Sequence, residues 1–233
     1  MGLDVACDKN KDQSYFLWTL GQEQLKHCLF PIGEYTKPEV REIARKLMLP
    51  TAEKKDSQGI CFIGEIDLRA FLKKHILTSP GLVRTTGGRE IGIHEGLPFY
   101  TIGQREGLGI GGGIPYYVAS KDAAANTLVV AEGPYDEKLF RQELSITDVN
   151  WISGKAPALP LRCKARIRYR QPLQRCRVER QATSDKRQRD SMVESCLVSP
   201  VSCRFEEPQR AVTPGQSAVF YSGEEMLGGG VIV

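Results

Sequence analysis

From Met1 to about His75, apolar residues return with helical spacing. Thr36-Lys37-Pro38-Glu39 has the form of a capping box with proline in the first turn, and Val40, Ile43, Ala44 and Leu47 follow on one face. A helix is therefore predicted to start at Thr36 and to stop at Leu49-Pro50, because the residue before a proline disfavours helical geometry. A second helix is predicted from about Ile66 to Ile76, with Leu68, Phe71, Leu72 and Ile76 as its stripe. Both stripes are expected to be packing faces.

Glycine and short β-type runs replace this pattern from about Pro80 to Pro134, where Gly87-Gly88 and the runs Glu90 to His94 and Pro115 to Ala119 predict a small, turn-rich β module. Beyond Leu139 strands prevail. Leu161 to Arg170, Cys196 to Phe205 and Ser217 to Tyr221, parted by turn clusters, predict a small antiparallel barrel. The polar stretch Gln181 to Ser191 is expected to be an exposed hairpin extension.

No apolar run approaches the roughly 20 residues that cross a bilayer, and the polar start MGLDVACDKNKDQ is not a signal sequence, so a soluble intracellular protein is expected. The 7 cysteines include no Cys-x-x-Cys pair and only 3 histidines accompany them, which argues against a disulfide framework and a zinc cage. Charge changes the picture more. The chain is net +4, yet Leu161 to Asp190 alone holds 11 Lys/Arg against 3 Asp/Glu, so the remainder is acidic. Arg162, Lys164, Arg166, Arg168 and Arg170 occupy alternate positions, which on one strand aims all of them at one face. Such a stripe suits a polyphosphate backbone; a solvated strand face is the other reading of the same charges.

Cys61 lies in Asp56-Ser57-Gln58-Gly59-Ile60-Cys61-Phe62-Ile63-Gly64, preceded by Lys54 and Lys55. Glycine hinges and two ammonium groups favour a thiolate there, while the same apolar run suits a buried structural cysteine. The stretch Gly103 to Gly113 is glycine-rich but lacks the Gly-Lys-Ser/Thr ending and no helical pattern follows it, so a surface loop offering Gln104 and Arg105 to a nucleic-acid backbone is expected rather than a phosphate loop.

Six segments occur in a recognisable order: Asn10-Lys11-Asp12-Gln13-Ser14-Tyr15-Phe16-Leu17, Phe30-Pro31-Ile32-Gly33, Lys54 to Gly64, Tyr100-Thr101-Ile102-Gly103-Gln104-Arg105, Arg168-Tyr169-Arg170-Gln171-Pro172, and Phe205 to Gln216. Together they closely resemble the tRNA-specific 2-thiouridylases, the MnmA/TrmU family, over essentially the whole chain. The resemblance implies an α+β protein in three parts: residues 1–78 as the truncated end of an α/β PP-loop ATPase domain, 79–138 as a central tRNA-binding module, and 139–233 as a β-barrel. It also implies ATP-dependent replacement of the C2 oxygen of wobble uridine 34 by sulfur, through a cysteine persulfide. Cys61 matches the family's persulfide carrier. Lys11, Asp12 and Gln13 match a tRNA-contacting motif, as do Arg168, Tyr169 and Gln216.

Family members also carry a Ser-Gly-Gly-x-Asp-Ser loop for ATP and another catalytic cysteine, and neither matches a segment of this sequence; the surroundings of Cys7 do not fit that role. The resemblance thus implies tRNA and a sulfur donor, a persulfide protein or cysteine desulfurase, as partners, with a separately supplied PP-loop half for catalysis. A cytoplasmic location is implied, or a mitochondrial one in a eukaryote, although no transit peptide is seen. A non-catalytic tRNA-binding module is the alternative.

Overall fold

The computed structural model describes residues 1–54, 68–111, 113–181 and 200–233. Its helices are α1 (Gln22–Leu25), α2 (Lys37–Lys46) and α3 (Leu68–His75). The strands are β1 (Gly81–Thr85), β2 (Glu90–His94), β3 (Tyr116–Asp122), β4 (Thr127–Glu132), β5 (Phe140–Trp151), β6 (Leu161–Arg166), β7 (Gln174–Arg180), β8 (Val201–Arg210), β9 (Ser217–Ser222) and β10 (Glu225–Ile232). Two compact units result. One joins Met1–Lys54 to Gln142–Pro208 and Pro214–Val233; the other holds Lys55–Arg141 and Gln209–Thr213.

In the first unit a closed barrel runs β10-β5-β8-β7-β6-β9. Alternation decides what each strand buries. Ala165, Cys176, Val178, Cys203, Phe205 and Phe220 turn inward and are buried, while Arg162, Lys164, Arg175, Arg177 and Arg204 turn outward and are exposed. Trp151 stacks on Phe220 with ring centroids 5.6 Å apart, which fills one part of the interior. The amino-terminal segment lies on the outside of this barrel and forms an apolar layer of Leu3, Tyr15, Trp18 and Leu25 with Ile152, Val219, Tyr221 and Met226. Gly229 makes that layer possible: a Cβ there would meet the Trp18 ring at 2.9 Å and the Ala218 carbonyl at 2.8 Å.

Helix α2 begins as the sequence predicts, with the Thr36 N–H and hydroxyl both donating to Glu39 Oε2 at 2.7 Å. Its stripe is a different matter. No residue of α2 is buried, and Ile43 and Leu47 are exposed, so the expected packing face is uncovered.

The second unit holds a sheet of order β2-β1-β4-β3, in which only β1 and β4 run parallel. Val83, Val118, Leu128 and Val130 form its core with Tyr100 and Leu108. The glycine-rich segment is tied to this sheet, since the Gly103 N–H donates to the Val118 carbonyl at 2.7 Å and the Val118 N–H to the Gln104 carbonyl at 2.9 Å. Helix α3 matches the second predicted helix where it is described, with Phe71 against His75, but Phe71 and Ile76 are exposed, so its stripe is not the buried packing face expected.

Two expectations need correction or lie elsewhere. The strand predicted over Leu161 to Arg170 stops at Arg166, because the Gln171 side-chain carbonyl takes the Ile167 N–H at 2.9 Å and the Gln171 N–H turns back to the Arg168 carbonyl at 3.1 Å. Most of the expected hairpin extension, and Cys196 to Ser199, lie outside the described residues. No described helix is long and apolar enough to cross a membrane.

Candidate nucleic-acid interface

Two aspartates shape the Lys11-Asp12-Gln13 segment. Asp8 accepts from the N–H groups of Asn10 at 3.0 Å, Lys11 at 3.2 Å and Lys37 at 2.9 Å; the last of these, at the start of α2, contributes most to holding its carboxyl below the usual range. Asp12 is only 3% exposed, and its carboxylate accepts from Ala6 N–H at 3.2 Å and from the Ser14 N–H and hydroxyl at 3.0 Å. It also faces Arg166 Nη1 at 3.7 Å. Asp12 therefore holds the turn from inside, while its neighbours Lys11 and Gln13 are exposed.

The turn leads into a short 3-10 helix, Ser14–Phe16, which presents Tyr15 to the barrel. The Tyr15 hydroxyl lies 2.9 Å from the Ser217 carbonyl and 3.3 Å from the Ile167 carbonyl. Those residues adjoin Gln216 and Arg168, so one phenol ties together three segments that are far apart in the chain. Burial, above all, pushes the Tyr15 phenol up, and it stays a protonated donor at neutral pH. Trp18 adds a bond from Nε1 to Ser217 Oγ at 2.9 Å.

Around this anchor the matched residues gather on one side of the barrel. Gln216 is exposed, and Arg168 and Tyr169 are partly so. Phe16, 55% exposed, packs its ring 4.9 Å from that of Tyr169, and the Arg170 guanidinium stands 5.3 Å from the Tyr169 ring centre. Aromatic faces beside cations suit unpaired bases joined by phosphates. Tyr169 can share a side with Arg168 because the strand has already ended, so alternation no longer separates them.

The single basic stripe predicted from sequence is divided into three. Arg162 and Lys164 point outward from β6. Arg166 has a side chain 11% exposed, covered by Asp12 and lying 4.9 Å from the Tyr221 ring centre. Arg168 and Arg170 belong to the turn, with Arg170 at φ 64. Gln104 also differs from expectation: its side chain accepts from the Thr101 N–H at 2.9 Å and donates to the Glu106 carbonyl at 2.8 Å, which leaves Arg105 as the exposed member of that pair.

Cys61 lies outside the described residues. Of the other thiols, Cys163 and Cys176 sit 3.6 Å apart inside the barrel, and Cys203 is fully buried beside them. The contact with Cys176 and burial push the Cys163 thiol well above the ordinary range; the same contact lowers Cys176, but the contact with Cys203 and burial outweigh it and push Cys176 up as well. They are not nucleophiles in the folded chain. Among the described residues the glycine-rich segment leads into β3 and not into a helix, so no helix amino terminus backs its amides as in a phosphate loop. Sequence reasoning missed Tyr15, Phe16, Trp18 and Tyr221. For the first three the signal was available in the aromatic run directly following Lys11-Asp12-Gln13.

Comparison with known proteins accounts for nearly the whole chain. Residues 1–65 match the tRNA methyl transferase HUP domain, 69–132 the tRNA methyl transferase PRC-barrel domain, and 141–232 the aminomethyltransferase beta-barrel domain. A tRNA-specific 2-thiouridylase MnmA of Alkalilimnicola ehrlichii is 48% identical over 231 residues, which cover 97% of this chain and 59% of that protein. The MnmA of Francisella tularensis subsp. tularensis is 47% identical, with 97% and 60% covered. The chain thus spans about three fifths of the length of these curated relatives.

Proposed function

We propose that this chain, which belongs to the family of tRNA-specific 2-thiouridylases, holds tRNA on the face built by Lys11, Gln13, Phe16, Arg168, Tyr169 and Gln216, and carries sulfur on Cys61 for 2-thiolation of wobble uridine 34. The observation that carries this is the Tyr15 hydroxyl, which gathers the three matched segments at one place. Asp12 acts in this reading by positioning the loop. In the loading step the Cys61 thiolate attacks the outer sulfur of a donor persulfide, a new S–S bond forms, and the donor cysteine leaves as its thiolate. The donor is a cysteine desulfurase or a persulfide protein in the cytoplasm. Activation of the uridine by ATP and the other catalytic thiol belong to a PP-loop half outside the matched three fifths of the relatives, so no step through ATP is assigned to residues of this chain.

Two measurements test the reading. The full chain is expected to bind tRNA without ATP, and Phe16→Ala or Tyr169→Ala to weaken binding about five- to hundredfold, the range for one lost base stack. Because stacking releases no counterions, the slope of log affinity against log salt stays unchanged in both variants. Wild-type affinity in both would remove the face from consideration. Incubation with a desulfurase and cysteine, read by mass spectrometry, is expected to place persulfide on Cys61 and to leave Cys163, Cys176 and Cys203 unlabelled, with the signal lost in Cys61→Ser. Labelling that favours exposed Cys7, or no labelling, supports a tRNA-binding module without sulfur transfer.

A further inference from the structure

Three strands of the barrel carry their arginines in line. Arg162 on β6 is the register partner of Arg177 on β7, and Arg177 is in turn the partner of Arg204 on β8. All three turn outward and are exposed. Lys164 and Arg175 form a second pair beside them, two residues further along the strands. Like charges directly opposite on neighbouring strands are unfavourable, and here the chain places three in a row. Among the described residues the carboxylates offset this incompletely: Glu179 pairs with Arg177 at 2.6 Å and Glu206 lies 3.9 Å from Arg175, so on these two rows five described cations face two described anions. The same five cations line one open concavity of about 660 Å³ on the outer wall.

We propose that this arginine ladder is a second RNA site, taking consecutive phosphates of the tRNA backbone away from the aromatic face. Neighbouring strands lie about 4.8 Å apart, so the three guanidinium groups are spread over about 10 Å and present forked donors that match phosphate oxygens. Among the described residues the ladder offers charge with no exposed aromatic surface, since the Tyr221 and Phe205 rings that line the concavity are buried, so it grips the backbone and adds affinity independent of sequence. The phosphates in turn relieve the repulsion built into the row. The identity of the polyanion rests on the tRNA reading above, whereas the site itself rests on the strand register. The sequence stripe pointed only at β6; the contributions of β7 and β8 become visible once the register is known.

The test compares the full-length wild type with the triple variant Arg162→Gln/Arg177→Gln/Arg204→Gln and with the charge-preserving triple lysine variant. With tRNA, the glutamine triple is expected to flatten the slope of log affinity against log salt by about two units and to lower affinity at 0.1 M salt at least about thirtyfold. The lysine triple should keep the wild-type slope. Outward, exposed positions tolerate such changes, and far-ultraviolet circular dichroism checks the fold of both variants. An unchanged slope in the glutamine triple, in a background where Tyr169→Ala does weaken binding, overturns the ladder and leaves the proposed function standing. A wild type that binds no tRNA overturns both.

Discussion

Asp12→Ala is expected to destabilise the chain by about 3 to 5 kcal/mol, the range for breaking a buried ion pair from one side, and to lower tRNA affinity with it. Among the described residues the Asp12 carboxylate is the one charged partner of Arg166, whose side chain is 11% exposed and whose Nε is buried with no hydrogen-bond partner. Without Asp12 the guanidinium is left, among the described residues, with the Tyr221 ring 4.9 Å away. The three donors at Ala6 and Ser14 lose their acceptor in the same substitution. Asp12→Asn retains a carbonyl for two of those donors and should cost less. Pairing Asp12→Ala with Arg166→Met should recover much of the loss, because an apolar pair of similar volume has no charge to desolvate. Urea unfolding of the four proteins of this double-mutant cycle measures the coupling. A loss in Asp12→Ala below about 1 kcal/mol, as for an exposed surface pair, would be incompatible with this description.

That result bears on how the sequence is read. Motif resemblance placed Lys11, Asp12 and Gln13 together as tRNA contacts, but it does not distinguish a side chain that touches a ligand from one that holds its neighbours in place. Lys11 and Gln13 are exposed and Asp12 is buried. The barrel and α2 were legible because their signals are local: period-two alternation and a capping box need no distant partner. The end of β6 was not, since it depends on the Gln171 side chain taking the Ile167 N–H, a choice between two possible acceptors that periodicity does not express. Arg166 illustrates the same limit. Its place in an alternating series predicts a solvent-facing cation, and only the packing of residues 12–15 over that part of the strand reveals that it is covered. The α2 stripe was legible as a helix face but not as an exposed one, because amphipathic spacing is silent about whether a partner is present. Cross-strand register was likewise unavailable from sequence, and with it the alignment of Arg162, Arg177 and Arg204.

Trp18→Ala is expected to cost about 3 to 5 kcal/mol, the usual range for truncating a large core aromatic, and to separate the two halves of the proposed tRNA face. The ring is buried against Gly229 in the layer between the amino-terminal segment and the barrel, and its indole N–H donates to Ser217 Oγ at 2.9 Å. Tyr15 reaches the same Ser217 through its carbonyl at 2.9 Å, so loss of Trp18 weakens the anchor that sets Lys11, Gln13 and Phe16 beside Arg168, Tyr169 and Gln216. The barrel interior does not depend on this ring, because Trp151 and Phe220 stack inside it. Protease should therefore cut the variant within the amino-terminal segment faster than wild type, while emission from Trp151, then the remaining tryptophan of the 2 in the chain, still reports a buried site. Gly229→Val approaches the same layer from the barrel side, with its Cβ 2.9 Å from the Trp18 ring, and should reproduce the loss of tRNA affinity. Stacking on Tyr169 then no longer adds to binding, so Tyr169→Ala in the Trp18→Ala background should have little further effect. Full additivity of the two substitutions in tRNA affinity would mean that the segments act separately and that Tyr15 and Trp18 do not assemble the site.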